Sequence, residues 1–357
     1  MVNAPIKLLI AASGTGGHLF PAIALAQELP DYQIEWLGVP NRLETQLVPQ
    51  QYRLNTISVE GFQKGFGISS LLTVGKLVGS VLKVRKILQN GQFQGVFTTG
   101  GYIAGPAVIA ARSLGIPVIL HEANALPGKV TRFFGPWCNA VALGFEVAAK
   151  YLPRAKTIYT STPVRSEFLE PGVASSLDLA IPENVPVIVV FGGSQGAVAI
   201  NKLVRECATA WFDVGAWVVH LTGDKDPEAE SLKHPQYISL PFYNNMAALL
   251  QRANLAISRS GAGSLTELAV CGTPAILIPY PFAAEDHQTY NAQVFTSVGA
   301  ALMFQQRELT VEKLQTEVLR LLQSPQQLKA MGEKAKTIAP ADSAEKLAQL
   351  VREMVEK

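Results

Sequence analysis

The chain contains 357 residues, of which 48% are hydrophobic and 16% are charged, and its formal net charge is +2 at pH 7. This composition excludes an intrinsically disordered chain, and the length predicts about two domains that each enclose a core. No apolar run approaches the roughly 18 to 20 residues that a membrane-spanning helix needs, and no signal peptide is apparent.

Charge and cysteine usage bear on partners and compartment. Residues 1–164 carry 14 Lys and Arg against 7 Asp and Glu, whereas the remainder carries 16 against 21. A basic first half favours an anionic partner, such as a phosphorylated substrate or an acidic membrane surface, although chance asymmetry between domains gives the same numbers. Cys138, Cys207 and Cys271 fit no Cys-X-X-Cys pattern, so we expect buried thiols in a reducing cytoplasm.

Strand-like apolar runs alternate with helix-like periods, which predicts an α/β fold of two Rossmann-like domains facing a cleft. Strands are predicted at 6–12, 33–38, 54–59, 95–99, 117–121, 139–144 and 156–160, and then at 185–191, 216–221, 236–240, 254–258, 275–278 and 300–303. Pro163 and the loose stretch that follows it divide the chain into domains at 1–164 and 165–342. A last helix at 343–357 docks on the second domain or returns to the first.

The first glycine-rich turn, Ser13–His18, follows the first predicted strand and opens a helix. Free backbone amides at a helix N-terminus favour an anion. The turn lacks the Gly-X-Gly-X-X-Gly spacing and the later acidic residue of a dinucleotide site, so by itself it indicates phosphate only weakly. His18 is either a general base or a capping and packing residue.

Further motifs of the first half lie at predicted strand ends, where open α/β sheets bind ligands: Gly100–Pro106 and His121–Asn124. The loop Gly61–Gly67 has the composition of a lid. A helix is predicted at 69–88, with a core stripe of Leu71, Val74, Leu77, Val78, Val81 and Leu88. Its other side carries Lys76, Lys83 and Lys86 beside Leu72 and Ile87. Such a face rests on an anionic membrane or is simply solvated.

The second half repeats the pattern of strand and glycine turn. Ser194 and Gln195 add side-chain donors to the turn Gly192–Gly196, which suits a pyrophosphate. Ser258–Glu267 follows a strand and starts a helix with Glu267 in its first turn, either to bind a ribose or to meet the helix dipole. The loop Pro279–Asn291 suits sugar hydroxyls. Asp224–Asp226 matches a metal-binding Asp-X-Asp only trivially and is expected to be a solvated loop.

Six segments resemble, in the same order, segments of the MurG family of bacterial peptidoglycan N-acetylglucosaminyltransferases: GTGGHLFPA, TTGGYIAGPA, LHEANALPG, FGGSQGA, SRSGAGSLTELA and DHQTYNA. These are inverting glycosyltransferases of family 28 with the GT-B fold of two Rossmann-like domains. The resemblance runs from residue 6 to about residue 300. It implies transfer of GlcNAc from UDP-GlcNAc to the 4-hydroxyl of MurNAc in undecaprenyl-pyrophosphoryl-MurNAc-pentapeptide (lipid I), which gives lipid II.

The resemblance also implies roles for individual residues. His18 is the first choice for the general base, with Glu122 and His121 as alternatives. The first turn serves the acceptor side, where the lipid pyrophosphate docks beside His18. The acceptor-binding residues are Gly14, Lys64 and Tyr102. The donor-binding residues are Thr15, Gly16, Gly17, Asn124, Arg165, Ser194, Gln195, Gly196, Phe242, Met246, Ala262, Gly263, Ser264, Glu267, Gln288 and Asn291.

The implied partners are UDP-GlcNAc, lipid I, the anionic cytoplasmic membrane surface and other cell-wall synthesis and division proteins, and no nucleic acid. No cofactor or metal is expected, because the second turn and Arg165 stabilise the leaving diphosphate. The implied location is peripheral, on the cytoplasmic face of the plasma membrane. The chain departs from the family pattern at Ala123 and Thr162, which puts acceptor and hinge contacts in question.

Alternatives remain within and beyond this class. A diacylglycerol glycosyltransferase or a sugar-nucleotide 2-epimerase would share the architecture. A nicotinamide dehydrogenase would need the missing dinucleotide fingerprint. A non-catalytic, nucleotide-regulated membrane scaffold is the remaining alternative, and the histidine at the predicted cleft favours catalysis over it.

Overall fold

A computed structural model of the protein describes residues 5–58, 68–170, 172–193 and 196–356, with the backbone alone at 68–74 and 175. The chain divides into two compact units. Unit 1 comprises Met1–Arg165 and Asp342–Lys357, and unit 2 comprises Ser166–Ala341. The boundary predicted after residue 164 lies one residue from this division.

Unit 1 is built on a seven-stranded parallel sheet of order β3-β2-β1-β4-β5-β6-β7. Its strands are β1 (Lys7–Ala11), β2 (Gln33–Gly38), β3 (Arg53–Thr56), β4 (Gly95–Thr98), β5 (Val118–Glu122), β6 (Ala140–Leu143) and β7 (Thr157–Tyr159). Its helices are α1 (Gly16–Gln27), α2 (Glu44–Leu47), α3 (Ile68–Gly91), α4 (Ala104–Ser113), α5 (Lys129–Phe134) and α12 (Ser343–Val355). Short 3-10 helices lie at Gly135–Trp137 and Glu146–Tyr151.

Unit 2 is built on a six-stranded parallel sheet of order β10-β9-β8-β11-β12-β13. Its strands are β8 (Val187–Phe191), β9 (Trp217–Leu221), β10 (Tyr237–Leu240), β11 (Leu255–Ser258), β12 (Ala275–Leu277) and β13 (Ala301–Met303). Its helices are α6 (Val198–Phe212), α7 (Met246–Arg252), α8 (Ala262–Cys271), α9 (His287–Ser297), α10 (Val311–Leu322) and α11 (Pro325–Lys336). Short 3-10 helices lie at Ser166–Phe168, Val173–Ser176, Ala284–Asp286 and Gln306–Glu308.

Each strand predicted from the sequence is present. The central strands are almost continuous apolar runs, as in the β8 sequence VIVVF, because a parallel sheet covered by helices on both faces buries every residue. In each sheet the order reverses at one strand, β1 in unit 1 and β8 in unit 2. Ligands of open α/β sheets bind beyond the carboxyl end of that strand, where each of the two glycine turns lies.

The last helix, whose destination the sequence leaves open, belongs to unit 1. Leu347 and Val351 of α12 are completely buried in the same core cluster as Leu25 of α1 and Leu29, which follows α1. Because α12 fills one side of this core, the second crossing of the chain completes unit 1 rather than extending unit 2.

Helix α3 confirms part of its predicted core stripe, because Leu88 is buried and Val81 packs against the core, and contradicts another part. Val78 is 52% exposed, and Ile87, predicted on the lysine side, packs against the core. Ser80 and Val84, which were not predicted in the stripe, are buried together with Leu88, at a spacing of four. Ser80 tolerates burial because its hydroxyl donates to the carbonyls of Lys76 at 2.9 Å and Ser58 at 3.0 Å. The side chain of Leu72 lies outside the described residues, so its place on the predicted membrane-facing side stays a prediction.

Candidate active site

The first glycine turn is held in place by Glu44 of α2, a residue that sequence analysis missed. The Glu44 carboxylate is completely buried and accepts hydrogen bonds from Ser13 Oγ and Val39 N, each at 2.6 Å, and from Gly14 N at 3.2 Å. Gly14 has φ +108°, a conformation that favours glycine. No local pattern identifies Glu44, because the turn that it holds lies 30 residues earlier in the chain.

His18 lies in the first turn of α1 with its imidazole partly buried. Its Nδ1 is 2.8 Å from the Thr99 carbonyl, which can only accept, so Nδ1 carries the hydrogen and Nε2 keeps its lone pair. The chain after β4 approaches this atom closely, since a Cβ on Gly101 would lie 3.7 Å from Nε2. Burial lowers the pKa of His18 below 6.5, against the raising effects of the Thr99 bond and the Glu122 charge. The ring is therefore neutral at pH 7, as a general base must be.

Glu122, at the end of β5, uses both carboxylate oxygens to shape the loop that follows. Oε1 accepts from Asn124 N at 3.0 Å and Asn124 Nδ2 at 3.1 Å, and Oε2 accepts from Gly128 N at 3.0 Å. These bonds occupy the carboxylate within the fold, which favours His18 over Glu122 as the base.

His121 is buried beside His18 in the same unit. Its Nε2 donates to the Ser161 carbonyl at 3.3 Å, and its Nδ1 has no hydrogen-bond partner among the described residues. Burial lowers the pKa of His121 to about 4, so this ring is also neutral. The Nδ1 lone pair of His121 can therefore accept a proton, as Nε2 of the neighbouring His18 can.

The other predicted residues of unit 1 differ in exposure and contacts. Thr15 is exposed, and Tyr102 is 46% exposed on the loop after β4. The guanidinium carbon of Arg165 lies 4.6 Å from the centre of the Phe20 ring. Lys64 and the predicted lid Gly61–Gly67 lie outside the described residues.

The second glycine turn, Gly192–Gly196, connects β8 to α6. Gly193 and Gly196 have φ values of +76° and +70°, and a Cβ on Gly192 would lie 2.5 Å from the Cβ of Ala197. The turn therefore requires glycine for both its backbone conformation and its close packing. Ser194 and Gln195 lie outside the described residues, so their contact with a diphosphate stays a prediction.

Glu267 is not in the first turn of its helix, as the sequence predicted, but in the second. Helix α8 begins at Ala262, directly after its N-cap residue Gly261. The helix dipole acts within the first turn, so the dipole explanation for this carboxylate loses its basis. Ala262 is buried, whereas Gly263, Ser264 and Glu267 are half-buried in α8, the helix that follows β11. The ribose contact of Glu267 stays a prediction.

Gln288 and Asn291 of α9 both bind Ser260, in the turn after β11. Gln288 Oε1 accepts from Tyr280 N at 2.9 Å and Ser260 N at 3.3 Å, which leaves its Nε2 as the group able to donate to a ligand. Asn291 is completely buried and its Nδ2 donates to Ser260 O at 3.1 Å. The fold thus uses part of each amide to join α9 to the turn, and the GlcNAc contacts of both stay predictions.

The two residues predicted beside the uracil differ in exposure. Phe242, after β10, is 64% exposed, and Met246 is half-buried as the first residue of α7. An exposed aromatic ring at a strand end is available to stack on a base.

Arg259 is a second residue whose part sequence analysis missed. It is buried, and its Nη1 donates to the carbonyls of Ile278 at 3.1 Å and Pro279 at 3.0 Å, while its Nη2 donates to Gln306 Oε1 at 2.6 Å. Burial lowers the pKa of Arg259 to about 10. These bonds anchor the start of the loop that leads to α9 and its residue Gln288. Arg259 belongs to the sequence motif SRSG, but the sequence does not indicate which groups it binds.

The Asp-X-Asp segment is a loop, as predicted, but only its first two residues are solvated. Asp224 is exposed, whereas the Asp226 side chain is completely buried and pairs with Arg205 at 2.7 Å. Across the described ranges, no group of three His, Cys, Asp or Glu side chains is placed to hold a metal ion. Burial raises the pKa of the Cys138, Cys207 and Cys271 thiols to about 12.

Comparison with known proteins identifies the family. The glycosyltransferase family 28 N-terminal domain matches residues 8–143, and the glycosyltransferase family 28 C-terminal domain matches residues 187–349. This chain belongs to glycosyltransferase family 28. The two matches fall in unit 1 and mainly in unit 2, each across one glycine turn.

Relatives of this family 28 chain match it over nearly their whole length. A protein of Nostoc punctiforme named UDP-N-acetylglucosamine--N-acetylmuramyl-(pentapeptide) pyrophosphoryl-undecaprenol N-acetylglucosamine transferase is 79% identical over 356 residues, which is 100% of each chain. A protein of the same name from Trichodesmium erythraeum is 66% identical, covering 99% of this chain and 94% of that one.

A solved structure supports the same fold for the family 28 chain. The crystal structure of Acinetobacter baumannii MurG superposes with a TM-score of 0.79 at 29% identity and covers 98% of this chain and 100% of its own. The fold is therefore GT-B, with two parallel-sheet α/β domains. In the described part of the chain, no helix is long and apolar enough to cross a bilayer.

Proposed function

We propose that this family 28 enzyme transfers GlcNAc from UDP-GlcNAc to the MurNAc 4-hydroxyl of lipid I and thereby makes lipid II for peptidoglycan synthesis. One observation carries the proposal: full-length identity of 79% to a relative named for this transfer. The held tautomer of His18 supports it independently, because transfer to a hydroxyl needs a base with a free lone pair.

The chemistry follows from the residues of each unit. His18 Nε2 takes the proton from the acceptor hydroxyl while the hydroxyl oxygen forms a bond to the anomeric carbon of GlcNAc. The bond between that carbon and the UDP oxygen breaks on the opposite face, so the configuration inverts and UDP leaves with the electron pair. The Glu122 carboxylate supports the step by favouring the imidazolium that forms.

The donor is held by the residues at the carboxyl edge of the unit 2 sheet, together with Arg165. The amides of the second glycine turn, Ser194 and Gln195 meet the diphosphate, and we propose that they and Arg165 stabilise the leaving charge without a metal ion. Glu267 binds the ribose and Phe242 the uracil, while the Gln288 Nε2 group donates to a hydroxyl of the sugar.

The acceptor is a lipid, so the enzyme works at a membrane surface. We propose that α3 contacts anionic lipid through Lys76, Lys83 and Lys86, which are exposed. Val78 and Leu82, exposed by 52% and 60%, supply the apolar part of this face, from which Ile87 is excluded because it packs against the core. This arrangement supports a peripheral location on the cytoplasmic face of the plasma membrane, where other cell-wall synthesis and division proteins are further proposed partners.

Transfer of label tests the proposal directly. The purified protein is incubated with radiolabelled UDP-GlcNAc and lipid I, diacylglycerol or no acceptor, and the lipid products are separated. We expect label in a lipid I product alone. Label in diacylglycerol would assign the other acceptor class, and conversion of UDP-GlcNAc to its 2-epimer without transfer would assign an epimerase. Either result, or no label in lipid I, contradicts the proposal.

A further inference from the structure

A buried polar network in unit 2 lies behind the second glycine turn. None of its residues has a role in the proposed transfer reaction. Its central residue is His220 of β9, which is completely buried. The His220 ring lies 3.0 Å from Asn201 Oδ1 through Nε2 and 2.7 Å from the Tyr237 hydroxyl through Nδ1. Burial lowers the pKa of His220 to about 3, so the ring is neutral at physiological pH.

The direction of each hydrogen bond follows from Asn201. Its Nδ2 donates to Thr222 O at 2.9 Å and Asp226 Oδ2 at 2.8 Å, so its Oδ1 must accept from His220 Nε2. His220 Nδ1 then accepts from Tyr237, whose pKa is raised to about 12 by burial and which keeps its proton. Each polar atom thus has a single compatible role, which gives the network one arrangement.

Asp226 closes the other side of the network. Its carboxylate pairs with Arg205 Nη1 at 2.7 Å and accepts from Glu228 N at 3.0 Å. Burial raises the pKa of Asp226, but the bonds from Arg205 and Asn201 outweigh this effect and hold the pKa below its usual value. A buried ion pair contributes little net stability relative to apolar packing, but both partners must stay in contact because a lone buried charge is costly, so the pair holds Arg205 and Asp226 in one geometry.

The network reaches the glycine turn through one backbone group. Thr222 O, bonded to Asn201, lies so close to Gly196 that a Cβ there would be only 2.6 Å away. Gly196 N in turn donates to Gly193 O at 3.0 Å, which closes the turn. On its other side, Thr222 N donates to Leu240 O at 2.9 Å, in the strand that precedes the exposed Phe242 ring.

We propose that Asn201, Arg205, His220, Asp226 and Tyr237 form a positioning network that fixes the Thr222 carbonyl against Gly196 and so sets the described glycines of the second turn, Gly192, Gly193 and Gly196, for the donor diphosphate. The inference rests on the proposed function, because it takes this turn as the donor site. These residues act through the turn and do not touch the substrate.

Two variants break the network at opposite ends. Tyr237→Phe keeps the ring but leaves the buried His220 Nδ1 without its donor. Asp226→Asn places an amide hydrogen against donors from Asn201 or Arg205, whichever way the amide is turned. We expect each to raise the Kd for UDP in calorimetry, and the KM for UDP-GlcNAc, by about tenfold. The KM for lipid I and the proton-transfer step should not change.

Thr273→Val is the matched control, because it removes another buried hydrogen bond of unit 2, from Thr273 Oγ1 to Leu250 O at 2.8 Å, at the far end of α8. It should lower the melting temperature without changing UDP affinity. If Tyr237→Phe and Asp226→Asn also lower only the melting temperature and bind UDP like the wild type, the network is structural and the inference is wrong.

A double-mutant cycle tests whether the network acts on the turn through the contact between Thr222 and Gly196. Gly196→Ala forces a Cβ against Thr222 O, so its effect on UDP affinity and that of Tyr237→Phe should be non-additive. Additive effects would contradict a shared route through Thr222. Wild-type protein that fails to bind UDP would instead overturn the proposed donor site, and the positioning role with it.

Discussion

His18 acquires its chemistry from the atoms that hold its ring. The Thr99 carbonyl fixes the hydrogen on Nδ1, and burial keeps the ring neutral. We expect His18→Ala to lower kcat by about 10²–10⁴-fold, the usual contribution of a general base. His234→Ala, a change to an exposed histidine of unit 2, should leave kcat unchanged. A rate close to wild type in His18→Ala, measured with labelled UDP-GlcNAc, would move the role to His121 or Glu122.

The pH profile follows from the same residue. A base acts in its deprotonated form, and the pKa of His18 is lowered from 6.5 because burial outweighs the Thr99 bond and the Glu122 charge. The acid limb of kcat/KM should therefore have its midpoint below pH 6.5, with activity lost as the pH falls through it. A midpoint above 6.5 would contradict the neutral, buried imidazole. The profile of His234→Ala should match that of the wild type.

Single residues also mark where local patterns mislead. Ser80 looks like a surface residue and Val78 like a core residue, yet the Ser80 hydroxyl is satisfied by backbone carbonyls and is buried instead. Asp226 looks like part of a solvated turn, but Arg205, 21 residues earlier, neutralises it in the interior. Arg205 and the Ser58 carbonyl lie 21 and 22 residues from the side chains that they bind, so the tertiary structure brings these partners together.

At the scale of an element, α3 is the helix whose exposed face bears on function. Val78→Ser with Leu82→Ser removes the two exposed apolar side chains, each worth about 1.5–3 kcal/mol if fully buried in lipid. We expect sedimentation with phosphatidylglycerol vesicles to weaken by about tenfold or more. The transfer rate to a short-chain, water-soluble acceptor should not change.

The control for this helix lies in the other unit. Val214→Ser with Val298→Ser removes two side chains that are exposed by 45% and 42% in unit 2. Vesicle binding of this variant should equal that of the wild type. If the α3 variant also sediments like the wild type, the α3 face is a solvated surface.

At the scale of the whole molecule, unit 1 is formed by two separate segments of the chain, and unit 2 lies between them in the sequence. Leu347 is completely buried in the unit 1 core, so Leu347→Ala should lower the free energy of unfolding of unit 1 by about 2–5 kcal/mol. UDP affinity should not change, because the donor turn belongs to unit 2. Glu345→Ala, an exposed change in the same helix, should leave both quantities unchanged. Denaturant unfolding and UDP calorimetry measure them, and a stability loss confined to unit 2 would contradict the assignment of α12.

The sequence by itself determined the strands, their parallel arrangement in two domains and the positions of the glycine turns. These features are local: hydrophobic runs bounded by turn residues form strands, and positive φ values at Gly14, Gly193 and Gly196 favour glycine. Only the tertiary structure decided that Glu44 holds the first turn, that Asp226 is buried and that α12 completes unit 1. Those outcomes depend on contacts between segments 21 to 324 residues apart, whose pairing no local pattern encodes.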